Sequence, residues 1–191
     1  MKYWPQKKWK KMLIIVVIVL IITSFSTLAV ISYLINTDKV TQIEIINPNG
    51  EKNAVIFYHP GLSSFAHDVS YAFADGLTLN NWRVEIATPS IEAPTDLSKY
   101  DLIVIASNTY GFNPDTPTIR HLERIGDLKG KQTVLITLGA GSAEQSQQVF
   151  EDLVKTQNGT IIATLLLYSM APNEEGYSAT EIAIQVAQQI K

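Results

Sequence analysis

Small polar side chains and one aromatic ring follow a buried apolar run in the middle of the chain. Leu102 to Ala106 is apolar and flanked by polar residues, as in a central strand, and Ser107 to Gly111 is predicted as the loop after it. Ligands of open parallel sheets bind outside the carboxyl ends of the strands. We therefore predict a ligand site at this loop. Tyr110 offers an aromatic face for stacking, although it also fits a ring that packs on its own loop.

Two serines occupy a second position with chemical potential. Ala54 to Tyr58 is an apolar run that ends at His59, Pro60 and Gly61, and Ser63 and Ser64 then precede a helical pattern. Hydroxyl and amide groups at a helix start either bind a phosphate or cap the helix. Both interpretations of the serines stay open.

Glycines follow a third apolar run. Gln132 to Leu138 is predicted as a strand, and Gly139, Ala140 and Gly141 come directly after it. Glycine lets a ligand approach the backbone closely and also permits a tight turn from strand to helix. The sequence leaves both roles open.

The sequence gives little support for other kinds of catalytic or metal site. The absence of cysteine excludes disulfides, thiol catalysis and cysteine-ligated metals. A hydrolase needs a G-x-S-x-G elbow and a late histidine, but residues 139–143 read GAGSA and His121 is the last histidine. We expect His59 and His67 to be structural. No catalytic residue and no metal ligand is predicted.

The amino-terminal segment has the composition of a membrane anchor. Residues 1–11 hold five lysines and two tryptophans, and residues 12–35 contain no charge. As a helix, the uncharged stretch would extend about 36 Å, enough to cross a hydrocarbon core of about 30 Å. We predict a transmembrane helix at 12–35 with the lipid bilayer as its partner.

The flanking charges predict an orientation. Five lysines precede the span and only Lys39 follows closely, which indicates a single-pass protein of the cell membrane with a cytoplasmic amino terminus and an extracytoplasmic domain. A cleaved signal peptide also fits the basic start. Thr27 and Ala29 make a poor cleavage site, however, and apolar residues resume at Val30.

The rest of the chain is acidic. Residues 36–191 contain all 18 acidic side chains and only ten basic ones. Because nucleic-acid binding requires clustered Lys and Arg, we expect no nucleic-acid partner.

Strand-like and helix-like segments alternate from residue 54 onward. After a polar linker at 36–52, with a short edge strand expected within 41–46, five strands and their helices predict a doubly wound α/β domain over 53–191. Right-handed crossovers place helices on both faces of its parallel sheet. The predicted strands are 54–58, 82–87, 100–106, 132–138 and 160–168, and the predicted helices are 65–79, 117–125, about 139–155 and 174–190.

These blocks resemble the flavodoxin-like family. The resemblance covers about residues 53–190 and rests on DLSKYDLIVIASNTYG at 96–111, the proline-rich loop and helix after it, and DLKGKQTVLITLGAGS at 127–142. It implies a five-stranded parallel sheet of order 2-1-3-4-5. It also implies non-covalent binding of flavin mononucleotide (FMN) at the carboxyl edge of that sheet.

The resemblance also implies which residues contact the flavin. The ring would lie between the loops after the third and fourth strands, and the phosphate in the loop after the first. That loop departs from the family pattern, because Ala66 stands where a hydroxyl is expected and the loop is one residue longer. The implied contacts are Ser63 and Ser64 for the phosphate, and Asn108, Thr109, Tyr110, Gly111, Phe112, Leu138, Gly139, Ala140 and Gly141 for the ring.

Two functions follow from this sequence. One is a membrane-anchored FMN protein that transfers electrons to an unidentified redox protein, with a flavin-dependent reductase as a variant, since flavin itself supplies the redox chemistry. The alternative is an anchored binding module that keeps the fold without flavin. Fold alone does not choose between them.

Overall fold

A long apolar helix precedes a compact α/β domain. The computed structural model describes residues 7–173 and 176–191. The first part of the predicted basic tail and the predicted start of the last helix, at Glu174, therefore lie outside the described residues. The chain divides into two compact units, Met1–Asn36 and Thr37–Lys191.

The first unit contains helix α1, Lys8–Asn36, which is 29 residues long and has a mean hydropathy of 2.9 over its most apolar window. At 1.5 Å per residue it extends about 43 Å. Its polar residues Thr23, Ser24 and Thr27 donate their hydroxyl hydrogens to backbone carbonyls about one turn earlier. By length and composition this helix is able to span a membrane.

The second unit is a sheet with helices on both faces. The runs 54–58, 102–106 and 133–138 form its central strands, because both faces of each run are covered. In chain order, the described elements are β1 (Glu44–Ile46), β2 (Lys52–Tyr58), α2 (Phe65–Thr78), β3 (Trp82–Ala87), β4 (Leu102–Tyr110), β5 (Asn113–Pro114), α3 (Thr116–Ile125), β6 (Gln132–Gly139), α4 (Glu144–Thr156), β7 (Thr160–Tyr168) and α5 (Ala179–Gln189).

The strand order of the sheet is β1-β3-β2-β4-β6-β7, and β5 pairs with the end of β4. Strands β3, β2, β4, β6 and β7 are parallel, so the predicted order 2-1-3-4-5 is confirmed. Strand β1 pairs antiparallel with β3 and extends the sheet at one edge. It lies within the segment where a short edge strand was expected.

Alternate residues of each central strand supply two cores. In β2, Ala54 and Ile56 pack in the core beneath α2 and α5, whereas Val55 and Phe57 pack in the core beneath α3 and α4. Helices α2 and α5 approach closely at Gly76, where a Cβ atom would lie 2.6 Å from the carbonyl oxygen of Ile184. Glycine is required at this crossing.

Two helix starts differ from their predicted positions. Helix α4 begins at Glu144, because residues 139–143 form the turn that leads into it. Helix α5 begins at Ala179, where Ser178 and Glu181 form a reciprocal capping box that fixes its first turn. The prediction that α5 begins at residue 174 is therefore wrong.

Candidate functional site

The loop predicted after the third parallel strand is instead a short hairpin. Strand β4 continues to Tyr110, and Thr109 and Tyr110 pair with Pro114 and Asn113 of β5. The two turn residues, Gly111 and Phe112, have φ angles of 57° and 65°. Two successive residues at positive φ match the turn that a two-residue hairpin prefers. The predicted loop at 107–111 is wrong for this reason.

Asp115 holds the base of this hairpin. Its buried carboxylate accepts hydrogen bonds from the hydroxyl of Ser107 (3.0 Å), the amide of Asn108 (2.8 Å) and the amide of Thr118 (2.9 Å). The Asp115 amide donates in return to the Ser107 hydroxyl (2.9 Å). Burial raises the pKa of the Asp115 carboxyl, although His59 and these donors oppose the shift. One carboxylate thus caps α3 and fixes the end of β4.

Side chains of β4 close the loop that follows β2. The Asn108 side-chain amide donates to the carbonyl of His59 (2.7 Å), and the Tyr110 hydroxyl accepts a hydrogen bond from the amide of Leu62. A Cβ atom at Gly61, whose φ is 66°, would lie 2.9 Å from the Tyr110 hydroxyl oxygen. Burial, together with the Asp115 charge, raises the pKa of Tyr110. Tyr110 is therefore a neutral phenol that contacts the predicted phosphate loop.

The start of α2 carries its own anion. Ser64 donates its hydroxyl hydrogen to the Asp68 carboxylate (2.7 Å), which also lies 3.1 Å from Nδ1 of His67. The hydrogen bonds from Ser64 and His67 lower the pKa of Asp68. Ser63 accepts a long hydrogen bond from the amide of Phe65 (3.4 Å). A negative charge near a helix amino terminus is stabilising, so Asp68 already performs the electrostatic role of a bound anion.

A cavity of about 280 Å³ lies at the carboxyl edge, between the loop after β2, the hairpin, and the loops after β6 and β7. Apolar carbon atoms make up most of the surface that lines this cavity. Seven of the eleven predicted residues are among those that line it. The lining residues are Leu62, Ser63, Phe65, Asn108, Thr109, Tyr110, Leu138, Gly139, Ala140, Ser169 and Met170.

Four predicted contact residues are not among the lining residues. Ser64 is bonded to Asp68, and Gly111 and Phe112 form the tip of the hairpin. Gly141 follows the lining residue Ala140 and lies beside Ala171. Ligand contact by any of the eleven residues stays a prediction.

Gly139 has a packing reason for being glycine. A Cβ atom there would lie 2.7 Å from the Cβ of Ala143, which is closer than real Cβ atoms approach. At Gly141 the corresponding distance to Ala171 is 3.5 Å, an ordinary contact. The tight turn therefore explains Gly139, whereas Gly141 is under no such constraint.

The structure allows a test of how a flavin ring and its phosphate fit. The cavity is compatible with a flavin ring, because its walls are mostly apolar. The loop after β2 and the start of α2 are not compatible with the flavin phosphate. The Leu62 amide is bonded to Tyr110, the Ser64 hydroxyl is bonded to Asp68, and the Asp68 carboxylate would repel a phosphate.

Residues after α1 also reach this edge of the sheet. Nε2 of buried His59 donates to the carbonyl of Thr37 (3.2 Å), and the hydroxyl of Thr88 donates to the carbonyl of Lys39. The Lys39 ammonium lies 3.5 Å from the carbonyl of Gly61. We call residues 37–39 the strap, because they are hydrogen-bonded across the ends of β2 and β3.

Sequence reasoning missed Asp115 and the lining residues Leu62, Phe65, Ser169 and Met170. Asp115 precedes Thr116 and Pro117, and this order of an acidic cap before proline is a recognisable helix start. Ser169 and Met170 follow the last parallel strand, so the rule that ligands bind at carboxyl ends would have found them. The roles of Leu62 and Phe65 depend on side-chain direction, which no local signal gives.

Comparison with known proteins gives matches in structure alone. No protein-family model matches the chain, and no curated protein matches it in sequence. Solved flavodoxins do match its coordinates.

A flavodoxin from the domain Archaea matches with a TM-score of 0.59 and 14% identity, over 72% of this chain and 95% of its own. The two-electron reduced flavodoxin of Megasphaera elsdenii matches with a TM-score of 0.59 and 14% identity, over 71% and 98%. Oxidised Flavodoxin 2 from Bacillus cereus matches with a TM-score of 0.57 and 19% identity, over 71% and 94%. At these identities the likeness shows the fold, and the second unit of this chain has the flavodoxin-like fold.

Proposed function

We propose that this protein is a membrane-anchored flavin protein that holds an isoalloxazine ring in the cavity at the carboxyl edge and transfers electrons. The observation that carries the proposal is the apolar cavity between the β4 hairpin and the loop after β6, which Thr109 and Tyr110 help to line. Its position outside the strand ends is the usual ligand position of this fold class.

The lining residues have distinct roles in this proposal. Tyr110, Leu138 and Ala140 line the cavity and would border the ring. The Thr109 hydroxyl oxygen is buried and has no hydrogen-bond partner among the described residues. Asp115 holds the hairpin in position through Ser107 and Asn108. The flavin supplies the redox chemistry when bound, and the protein supplies position and an apolar environment.

FMN is the flavin that the family resemblance implies, and its phosphate meets an unfavourable loop. The remaining donors are the Ser63 hydroxyl and the first-turn amides of α2 beyond Phe65, whose own amide is bonded to Ser63. Asp68 contributes a like charge. We therefore propose that the ring contributes most of the affinity. Binding of FMN should depend little on its phosphate.

The anchor and the charge of the domain complete the proposal. Helix α1 is the membrane span, and the lysines before it favour a cytoplasmic amino terminus with the domain outside. The excess of acidic residues after residue 35 favours a basic redox protein as partner through electrostatic steering.

The test is a flavin titration of the full-length protein in detergent micelles, followed by quenching of flavin fluorescence. We expect saturable, stoichiometric binding. Ala140→Trp should weaken binding at least tenfold, because the indole fills the cavity from an exposed position. Ser142→Trp is the matched control, since residue 142 is exposed and is not a lining residue. Absence of saturable binding to folded protein would overturn the proposal.

A second candidate is an anchored binding module that keeps the fold without flavin. The specific observation in its favour is the self-occupied phosphate loop, in which Tyr110 and Asp68 use groups that a phosphate requires. This module is the conclusion if folded protein binds neither FMN nor riboflavin.

A further inference from the structure

Exposed apolar side chains lie at the tips of the loops on the carboxyl edge. Leu62 follows β2 and is 52% exposed, Ile91 follows β3 and is 80% exposed, Phe112 follows β4 and is 58% exposed, and Met170 follows β7 and is 87% exposed. The strands are parallel, so these four tips lie on one edge of the sheet. We call them the apolar tips.

The loop tips of the carboxyl edge carry fewer charged residues than the loops of the opposite edge. The carboxyl-edge loop tips 59–64, 88–91, 111–112, 140–143 and 169–173 contain no Asp, Glu, Lys or Arg. Charged residues flank them: exposed Glu92 and Glu144 directly follow two of these segments, and Lys39 of the strap lies beside Gly61. Glu174 and Glu175 follow the last of these segments and lie outside the described residues. The opposite edge exposes Glu51, Asp96, Asp101, Asp127 and Lys129, and its one exposed large apolar residue within the described chain is Leu79.

The backbone conformation of Phe112 is unfavourable for a residue with a bulky side chain. It has a φ of 65° at the second position of the hairpin turn, where Gly or Asn is the usual residue. A bulky residue at positive φ is a genuine outlier, and this ring is also exposed to solvent. Neither cost is offset by packing within the domain, which indicates a partner outside it.

The chain itself indicates what that partner is. The strap begins at Thr37, one peptide bond after the end of α1 at Asn36, and consecutive Cα atoms are about 3.8 Å apart. Thr37 and Lys39 are hydrogen-bonded to His59 and Thr88 at the carboxyl edge. A chain that leaves a bilayer after α1 therefore reaches this edge within a few residues.

We propose that the carboxyl edge of the domain docks on the lipid surface and that the apolar tips insert into the interfacial region of the bilayer. Loop tips with exposed Leu, Ile, Phe and Met side chains suit that environment, and patches of this kind mark membrane or protein contacts. Leu62 and Met170 also line the cavity, so the cavity then opens at the membrane surface.

The test uses full-length protein in vesicles of phosphatidylcholine and phosphatidylglycerol at about 3:1, since the natural chain has no cysteine. Ile91→Cys and Phe112→Cys are each labelled with an environment-sensitive fluorophore. Leu79→Cys is the matched control, because Leu79 is an exposed apolar residue on the opposite edge. Quenching is then measured with brominated phosphatidylcholine.

We expect at least twofold stronger quenching at positions 91 and 112 than at position 79, with blue-shifted emission. Combining Ile91→Ser and Phe112→Asn should reduce the quenching of a label at Met170→Cys, while Asn accepts the positive φ of the turn. Equal quenching at both edges overturns the proposal. A blue shift without lipid quenching also overturns it and identifies a protein contact instead. Neither readout requires flavin, so failure here is distinct from failure of the proposed function.

Discussion

The hydroxyl of Tyr110 accepts a hydrogen bond from the backbone amide of Leu62, and this contact joins the end of β4 to the loop after β2. It lies so close that a side chain at Gly61 would contact the phenolic oxygen. In the flavodoxin-like arrangement this loop is expected to hold a phosphate. Here a neutral phenol from the neighbouring strand uses one of its amides.

The first prediction concerns phosphate discrimination by Tyr110. Wild-type protein should bind FMN and riboflavin within about threefold of each other. Tyr110→Phe should raise the preference for FMN about five- to tenfold, because the released Leu62 amide gains a charge-assisted hydrogen bond. Parallel fluorescence titrations measure both ratios.

Two further results complete this test. Riboflavin affinity should change less than about twofold in Tyr110→Phe, since the aromatic wall is kept, whereas Tyr110→Ala should cost about 1 kcal/mol or more for either flavin. A hundredfold preference of the wild-type protein for FMN would contradict the inference that Tyr110 occupies a phosphate donor in the loop after β2.

The second prediction concerns the charge at the start of α2. Asp68→Asn removes the carboxylate bonded to Ser64 and should increase FMN affinity about two- to fivefold at low salt, with riboflavin unaffected. Asp75→Asn is the matched control, because Asp75 is exposed on the same helix near its other end. Identical responses of the two variants would show that only net charge matters.

The third prediction concerns stability at the hairpin. Asp115→Ala removes the α3 cap and leaves the Ser107 hydroxyl and the Asn108 amide without their acceptor, so it should lower the free energy of unfolding by about 2–4 kcal/mol. Urea unfolding followed by circular dichroism measures the change. The exposed Asp75→Ala should stay within about 0.5 kcal/mol of wild type. An equally small change for Asp115→Ala would refute the role of Asp115 in holding the hairpin to α3.

The fourth prediction is a pH dependence set by His121. Burial, reinforced by Arg124, lowers the pKa of this histidine from 6.5 to about 4. Its ring packs on Phe57 at 4.5 Å, and Nδ1 accepts a hydrogen bond from Arg124 (3.4 Å), which keeps the ring neutral. Since the unfolded chain binds the proton more tightly, stability is retained above pH 6.5 and falls as the pH decreases toward 4.

The expected loss from His121 between pH 7.5 and 4.5 is about 2–3 kcal/mol. It is measured as the difference in pH slope between wild type and His121→Gln, which cancels the contributions of other groups. His67→Gln is the control, because His67 is half exposed. Equal slopes for wild type and His121→Gln would exclude a buried neutral histidine.

The flavodoxin-like order of the sheet could be predicted because it depends on apolar runs and their separation. Leu102 to Ala106 and Val134 to Leu138 are buried on both faces, which their unbroken apolar sequence already indicated. The end of β4 could not be predicted. Ser107 and Asn108 extend the strand by pairing with β6. Thr109 and Tyr110 extend it further by pairing with β5, across a turn that places Phe112 at positive φ.

The candidate site, too, could be predicted only in part from the sequence. Local sequence located the lining residues Asn108 to Tyr110 and Leu138 to Ala140, since both segments follow buried strands. It did not give the partner of any side chain. Ser64, predicted to contact a phosphate, donates to Asp68, and Tyr110 contacts the amide of Leu62, 48 residues earlier in the chain.

By itself, the sequence determined an apolar amino-terminal helix, an acidic domain and a doubly wound sheet, because composition and hydrophobic periodicity act through local and averaged forces. Tertiary structure alone decided which groups meet at the carboxyl edge. The bonds of Asp115 to Ser107, Tyr110 to Leu62 and His59 to Thr37 join separate segments. A hydrogen bond requires donor and acceptor within about 3 Å, and only the folded chain sets that separation.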